Sequence, residues 1–305
     1  MLAPNWLKRF VPEPVKKIVR HARRKKPSAT VDNAVMAAAQ MALGEASKSA
    51  TIEHPLQVFN FFVDCFKPLT FNAVYKTPKF YRADRLIAAL QISDFTLPLS
   101  IAIDIALYAD SLWKNYAPES YMGDTGLHFS HAFSIGPKGR LVFNIARALK
   151  PKSCFEVGTG YGISTYLIAR CQELCGIHPD IVTVEFADPQ KKFSRAFLQK
   201  HFPDTVRTFH CDKHDAIAKL KEKSGRFDFI FHDNGHSGDH YVRDFLALLP
   251  LMPPKAVFLL DDINWFGHGQ GKSTRTCYEG WLEIIRHKRV AAALEFRELG
   301  AIFLN

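Results

Sequence analysis

The chain of 305 residues lacks several features that would assign it to a class of protein at once. It has no apolar run near the roughly 18 residues that a membrane-spanning helix needs. Its six cysteines include no Cys-x-x-Cys pair, which argues against a zinc framework, and no secretory apolar segment stands near the start. We therefore expect a cytoplasmic protein in a reducing compartment. With 47% hydrophobic and 23% charged residues, the composition is typical of a globular protein.

Acidic residues are nearly missing from the first 26 residues, which contain nine lysines and arginines but one acid, Glu13. This segment supplies most of the net charge of +10, and the rest of the chain is almost neutral. A neutral body argues against a nucleic-acid-binding surface. Residues 15–26 fit a basic amphipathic helix that makes peripheral contact with an anionic membrane. A solvated tail, a helix docked on a partner subunit and a mitochondrial transit peptide are the alternatives for residues 1–27.

The remainder of the chain is predicted to form two regions. Residues 28–130 are rich in alanine and then in aromatic residues, so we expect a mainly helical cap or an oligomerisation region, which would allow a homo-oligomer. From residue 131 to 305, short apolar runs alternate with amphipathic helical stretches. The expected strands are 154–157, 181–185, 206–211, 227–232, 256–260, 290–296 and 301–304. This alternation predicts an α/β fold with a doubly wound, seven-stranded, mostly parallel, Rossmann-like sheet that ends in an antiparallel hairpin.

A glycine-rich loop follows the first strand of the region 131–305, where doubly wound sheets bind cofactors. Gly158, Gly160 and Gly162 give the spacing G-x-G-x-G. The dinucleotide fingerprint needs G-x-G-x-x-G, and its third glycine position is occupied here by Ile163. The loop therefore favours a cofactor other than a dinucleotide.

Acidic residues follow the next two strands. Glu185 ends the second strand, where a carboxylate can accept hydrogen bonds from both hydroxyls of a ribose. Asp212 or Asp215, after the third strand, is placed to contact an adenine ring. Asp215 fits a second role equally well, because an acid in the first turn of a helix is favoured by the helix dipole.

Three more carboxylates follow the fourth and fifth strands, at Asp233, Asp261 and Asp262. Parallel strands bring these ends to one crevice, and three carboxylates repel one another unless a cation or a proton lies between them. Oxygen ligands suit Mg²⁺ or another hard divalent cation. A helix cap and a bond to a backbone amide are the alternative roles for these residues. His236 is placed to remove a proton from a substrate hydroxyl, or it is a loop histidine.

A zinc site is a further alternative, because His232, His236 and His240 are spaced by four. His232 ends a strand, however, so the three side chains need not share one helical face.

The chain from about 138 to 305 resembles class I S-adenosylmethionine-dependent methyltransferases. Within them it is similar to methyltransferase family 24 and to the catechol-type and macrolide-sugar O-methyltransferases. The resemblance rests on the loop from Glu156 to Gly162, on Glu185, on residues 233–236 and on the acidic pair 261–262. It implies that Gly158 and Gly160 line the methionine part of the cofactor and that Glu185 holds the ribose. It also implies the metal ligands Asp233, Asp261 and Asp262.

Two departures separate this chain from the catechol-type enzymes. Asn234 stands where the family has glycine, and His236 stands where those enzymes have a lysine base. The second departure favours an acceptor other than a catechol. The predicted catalytic residues are His236 and Asp233. The predicted cofactor-binding residues are Glu156, Gly158, Thr159, Gly160, Gly162, Ser164, Glu185, Asp212, Asp215 and Asp233.

The function expected from these residues is Mg²⁺-assisted O-methylation of a polyhydroxylated small molecule, a sugar or another glycan. One alternative is a metal-independent methyltransferase that acts on a protein or a nitrogen nucleophile. Another is a non-catalytic scaffold that binds the cofactor. RNA methylation is disfavoured, because a nearly neutral body leaves only the tail for phosphate contacts.

Overall fold

The computed structural model describes residues 73–77, 79–92, 97–115, 137–188, 190–223, 225–265 and 275–305. The predicted basic tail, 1–27, lies outside the described residues, as does much of the predicted region 28–130. The chain divides into two compact units, residues 1–67 with 98–128 and residues 68–97 with 129–305. No helix in the described ranges combines the length and the apolar character needed to cross a membrane.

The described elements are, in chain order, β1 (Ala73–Tyr75), α1 (Tyr81–Ile92), α2 (Leu99–Asn115), α3 (Pro137–Leu149), β2 (Cys154–Val157), α4 (Ile163–Leu174), β3 (Ile181–Val184), α5 (Gln190–His201), β4 (Val206–Phe209), α6 (Lys213–Glu222), β5 (Phe229–His232), α7 (Gly238–Leu248), β6 (Val257–Leu260), α8 (Cys277–Ile284), β7 (Val290–Phe296) and β8 (Leu299–Leu304). A short 3₁₀ helix, Leu249–Leu251, follows α7. Among the described elements, α2 alone belongs to the first unit. It buries Ile101, Ile105 and Leu112, a stripe at helical spacing.

The second unit is built on one eight-stranded sheet with the order β1-β7-β8-β6-β5-β2-β3-β4. Strands β2 to β6 pair in parallel, and β8 pairs antiparallel with both β6 and β7. The predicted α/β class and the closing hairpin are therefore confirmed. The sheet has one strand more than the seven predicted, because β1 pairs antiparallel with β7 at the edge. This strand lies in the stretch that the sequence predicted to be mainly helical.

Every residue of β2, β3, β5 and β6 is buried. Strands covered by helices on both faces are apolar along their whole length, which explains why these runs are continuous rather than alternating. The outer strand β4 is only partly buried. The carboxyl ends of β2, β3, β5 and β6 meet along one edge of the sheet, and this edge carries the predicted site residues.

Candidate active site

The glycine loop is held between the ends of β3 and β5. The backbone N–H of Gly158 donates to the carbonyl of Val184 at 3.1 Å, and the N–H of Asp233 donates to the carbonyl of Val157 at 2.8 Å. Gly158 has φ +96°, and a Cβ there would stand 2.0 Å from the carbonyl oxygen of Asp233. Only glycine permits this approach, which joins the loop to the acidic end of β5.

Gly160 is glycine for a different reason. It has φ +52°, and a Cβ built on it would meet no atom within 4 Å. Its N–H donates to Oε2 of Glu185 at 2.8 Å, and Oε1 of the same carboxylate accepts from the N–H groups of Phe186 and Ala187. Open space therefore lies over the loop beside a carboxylate that is 9% exposed, and this arrangement fits a nucleoside. At Gly162, by contrast, a Cβ would crowd the side chains of Ser194 and Leu198.

Glu156 lies beneath the loop and is buried. Its carboxylate accepts hydrogen bonds from the hydroxyls of Ser164, at 2.5 Å, and Thr183, at 2.8 Å, and from the hydroxyl of Thr165. Burial raises its pKa to about 7, although the three hydroxyls oppose the shift. Thr159 shares a hydrogen bond of 2.5 Å with Thr183. These bonds within the protein fix the loop, and cofactor contact by Glu156, Thr159 and Ser164 stays a prediction.

The two acids after β4 differ in their local role. Asp212 is the N-cap of α6, where its side chain accepts from the N–H of His214 at 2.7 Å. Asp215 is exposed in the first turn of the same helix, as its alternative role required. Contact with an adenine stays a prediction for both residues.

The three aspartates at the ends of β5 and β6 do converge, but they surround a lysine that the sequence analysis missed. Lys138, in the first turn of α3, hydrogen-bonds Asp261. Its Nζ also lies 3.8 Å from Oδ2 of Asp233 and 4.0 Å from Oδ1 of Asp262. The side chain of Asp261 is fully buried, whereas those of Asp233 and Asp262 are 20% and 25% exposed. The cluster therefore already contains one cation from the protein itself.

Burial and charge act in opposite directions on the ionisable groups of this cluster. Burial favours the neutral form of Lys138, but attraction to the three carboxylates outweighs it and raises the pKa of the ammonium. Burial and the charge of Asp233 raise the pKa of Asp261, and Lys138 opposes that shift. Lys138 is therefore charged under ordinary conditions, and it balances one of the three carboxylates.

His236 stands at the exposed side of the cluster, with Nδ1 3.4 Å from Oδ2 of Asp262. Asp233, His236 and Asp262 each offer a ligand atom, and these atoms lie within 4.8 Å of one another, a spacing that fits a metal ion. The ring centroid of His236 is 6.3 Å from that of Trp265, which is 53% exposed. In the part of the chain that the structure describes, His232, His236 and His240 form no such group.

Behind the cluster, a buried charge network holds the segment that carries Asp233 and His236. Asp244 of α7 is completely buried and contacts Nε2 of His232 at 2.9 Å and Nζ of Lys213 at 2.5 Å. Lys213 also donates to the side-chain oxygen of Asn234 at 3.0 Å. Burial disfavours ionisation of Asp244, yet its bonds to His232 and its attraction to Lys213 hold its pKa well below the ordinary value.

The comparisons with known proteins agree with this geometry. Residues 155–263 match the family model described as a methyltransferase domain. Catechol O-methyltransferase B from Danio rerio is 31% identical over 121 residues, which are 38% of this chain and 44% of that protein. The match thus spans less than half of that relative.

Solved structures share the fold. The S-adenosylhomocysteine-bound methyltransferase PaMTH1 from Podospora anserina superposes with a TM-score of 0.52 and 17% identity, and covers 76% of this chain and 100% of its own. The O-methyltransferase TomG from Streptomyces achromogenes, solved with S-adenosylmethionine, has a TM-score of 0.50 and 15% identity, and covers 74% of this chain and 100% of its own. Residues 155–263 therefore match a methyltransferase domain, and the region built on the eight-stranded sheet shares its fold with these solved methyltransferases.

Proposed function

We propose that this protein transfers the methyl group of S-adenosylmethionine to a hydroxyl of a polyhydroxylated small molecule or sugar, assisted by a divalent cation. One observation carries the proposal. The close approach of Gly158 to the backbone of Asp233 joins the glycine loop directly to the acidic cluster. A cofactor over the loop and an acceptor at the cluster would therefore be neighbours, and alignment of the two reactants is the main task of such an enzyme.

The residues of the cofactor side have distinct roles in this proposal. Glu185 would hold the ribose, and the open space at Gly160 would admit the cofactor. Phe186, which is 70% exposed next to Glu185, offers an aromatic face for the adenine. Bound S-adenosylmethionine would supply an activated methyl group for the acceptor oxygen, with the electron pair of the S–CH₃ bond left on sulfur.

The acceptor side combines carboxylates with a base. Asp233 and Asp262 would hold the divalent cation, because both lie at the accessible side of the cluster. A cation bound there would act as a Lewis acid and lower the pKa of an acceptor hydroxyl. Asp262 faces Nδ1 of His236, so Nε2 is the nitrogen that would accept the proton of that hydroxyl. Trp265 would provide a wall for the acceptor.

Calorimetric titration with S-adenosylhomocysteine tests the cofactor site. We expect binding in the micromolar range that weakens about 100-fold in Glu185→Ala, since several hydrogen bonds to a charged group are lost. Asp188→Asn is the matched control, because this acid is exposed and pairs only with Lys191 among the described side chains. Its affinity should equal that of the wild type. Absence of binding by the wild-type protein would overturn the proposal.

Transfer of a labelled methyl group onto a panel of polyols and sugars, with Mg²⁺ and with EDTA, tests the chemistry. Turnover that requires Mg²⁺ and falls in Asp262→Asn, with unchanged S-adenosylhomocysteine affinity, would support the metal-assisted reaction. Equal turnover in EDTA would contradict the metal and favour the metal-independent alternative. Transfer to proteins or amines, with none to hydroxyls, would overturn the acceptor class.

A further inference from the structure

Lys138 lies at a position where a positive charge is unfavourable for its own helix. It is the second residue of α3, directly after Pro137, in a first turn that contains no acid. A positive charge at the amino end of a helix opposes the helix dipole. Its side chain is also only 14% exposed. The three aspartates account for this placement, because Nζ lies within 4.0 Å of a carboxylate oxygen of each of them.

The ammonium lies where the sequence predicted a metal. Its Nζ hydrogen-bonds Asp261 and lies within 4.0 Å of both other aspartates. A divalent cation binds carboxylate oxygens at about 2.0–2.6 Å, so on the Asp261 oxygen that holds Lys138 it would stand close to an ammonium that repels it. The predicted set of three carboxylates is therefore divided. Asp261 binds the ammonium of Lys138, while Asp233 and Asp262 lie near His236.

We propose that Lys138 is the resident cation of the acidic cluster, a positioning residue that competes with divalent metal for Asp261. This inference rests on the metal-assisted function proposed above. While the ammonium holds Asp261, the cluster offers a divalent ion only Asp233, Asp262 and the nearby His236. Metal gains its third carboxylate only after Lys138 withdraws. The protein in which Lys138 holds Asp261 should therefore bind divalent metal weakly.

Removal of the ammonium should strengthen metal binding. Lys138→Met keeps a long apolar stem but frees Asp261 and removes a repelling charge about 4 Å from the ligands. At that separation we expect Mn²⁺ to bind about tenfold more tightly, or better. Lys138→Arg retains the charge and should bind Mn²⁺ as weakly as the wild type. Lys221→Met, on the exposed last turn of α6, removes an equal charge outside the cluster and is the control for net charge.

The experiment is a titration of the full-length chain with Mn²⁺, followed by electron paramagnetic resonance of the free ion. In an Asp261→Asn background, Lys138→Met should give a smaller gain, because the contested ligand is gone and only the loss of charge repulsion remains. Equal or weaker Mn²⁺ binding by Lys138→Met, absence of Mn²⁺ binding by every variant, or an equally large gain with Asp261→Asn would each overturn the inference.

Affinity for S-adenosylhomocysteine, measured on the same samples, separates the possible failures. A protein that binds S-adenosylhomocysteine normally but shows no effect of Lys138→Met contradicts the competition alone. A wild type that binds no S-adenosylhomocysteine contradicts the proposed function as well. Lys138→Gln serves as a second variant if Lys138→Met does not fold, and the same tighter Mn²⁺ binding is expected of it.

Discussion

The two halves of the site treat buried negative charge in different ways. On the proposed cofactor side, Glu185 is held by three backbone N–H groups and Glu156 by three hydroxyls, all of them neutral donors. On the proposed acceptor side, Asp261 is held by Lys138, and Asp244 is held by Lys213 and His232. The cofactor side is thus stabilised by dipoles, and the acceptor side by ions.

This difference bears on what each half can bind. Neutral donors leave the charge of Glu185 in place, so it can still accept hydrogen bonds from a neutral partner such as a ribose hydroxyl. The acceptor side leaves two partly exposed carboxylates beside one ammonium, an excess of negative charge that favours a cation. If ions stabilise one half of the site and dipoles the other, substitutions that remove an ion should lower the free energy of unfolding more than substitutions that change a neutral group.

The largest effect on stability is expected at Asp244. Asp244→Ala leaves Lys213 and His232 without their shared buried carboxylate, and loss of one partner of a buried pair costs about 3–5 kcal/mol. Urea unfolding measures this loss. Asp239→Ala, on the exposed first turn of the same helix, is the control and should change the free energy of unfolding by less than about 1 kcal/mol. Similar losses in both variants would show that the ion network does not support the acceptor side.

A smaller and pH-dependent effect is expected at Glu156. Its pKa of about 7 in the folded protein lies above the ordinary value of 4.5. The folded protein therefore binds this proton more tightly than the unfolded chain does. The stability that this group contributes is complete below pH 4.5, and it is lost as the pH rises through 7. The difference between the two pKa values corresponds to about 3 kcal/mol.

Glu156→Gln removes this titration and keeps a neutral side chain among the three hydroxyls. The stability of the variant relative to the wild type should therefore increase between pH 5 and pH 8, by up to about 3 kcal/mol. Chemical denaturation at several pH values measures the change. A constant difference across this range would mean that neutral donors alone keep the carboxylate ionised, and the contrast with the acceptor side would become sharper.

Much of this architecture could be predicted from local sequence. Continuous apolar runs identified the buried strands, and parallel strand order alone brought Asp233 to the same edge as Asp261 and Asp262. Lys138 could not be found in this way. It precedes Asp261 by 123 residues, and nothing in its own helix indicates which charges lie opposite. The strand β1 was missed because three residues carry little periodicity, and it pairs with β7, more than 200 residues away.

Phe186 was missed although it directly follows Glu185. Its exposure beside the carboxylate is visible only in the folded chain, because a phenylalanine after a strand normally predicts core packing. For Asp212 and Asp215, the sequence suggested a functional role that the structure does not test. Both had plausible cofactor roles from their position after a strand, and both have local roles at the start of α6. Local physics explains a residue at a helix start well, but it does not reveal whether a ligand also contacts it.

A small effect on stability, joined to a clear effect on binding, is expected at Gly160. Gly160→Ala places a methyl group in open space at φ +52°, so the main cost is left-handed backbone strain, about 1–2 kcal/mol. The same methyl group would enter the space that the cofactor is proposed to fill. Gly176→Ala is the matched control, with φ +72° and an equally open environment in the turn after α4. Both variants should lose similar stability, but only Gly160→Ala should weaken S-adenosylhomocysteine binding in calorimetry, by at least about tenfold. Equal affinities in the two variants would place the cofactor away from the loop and break the distinction between the two halves of the site.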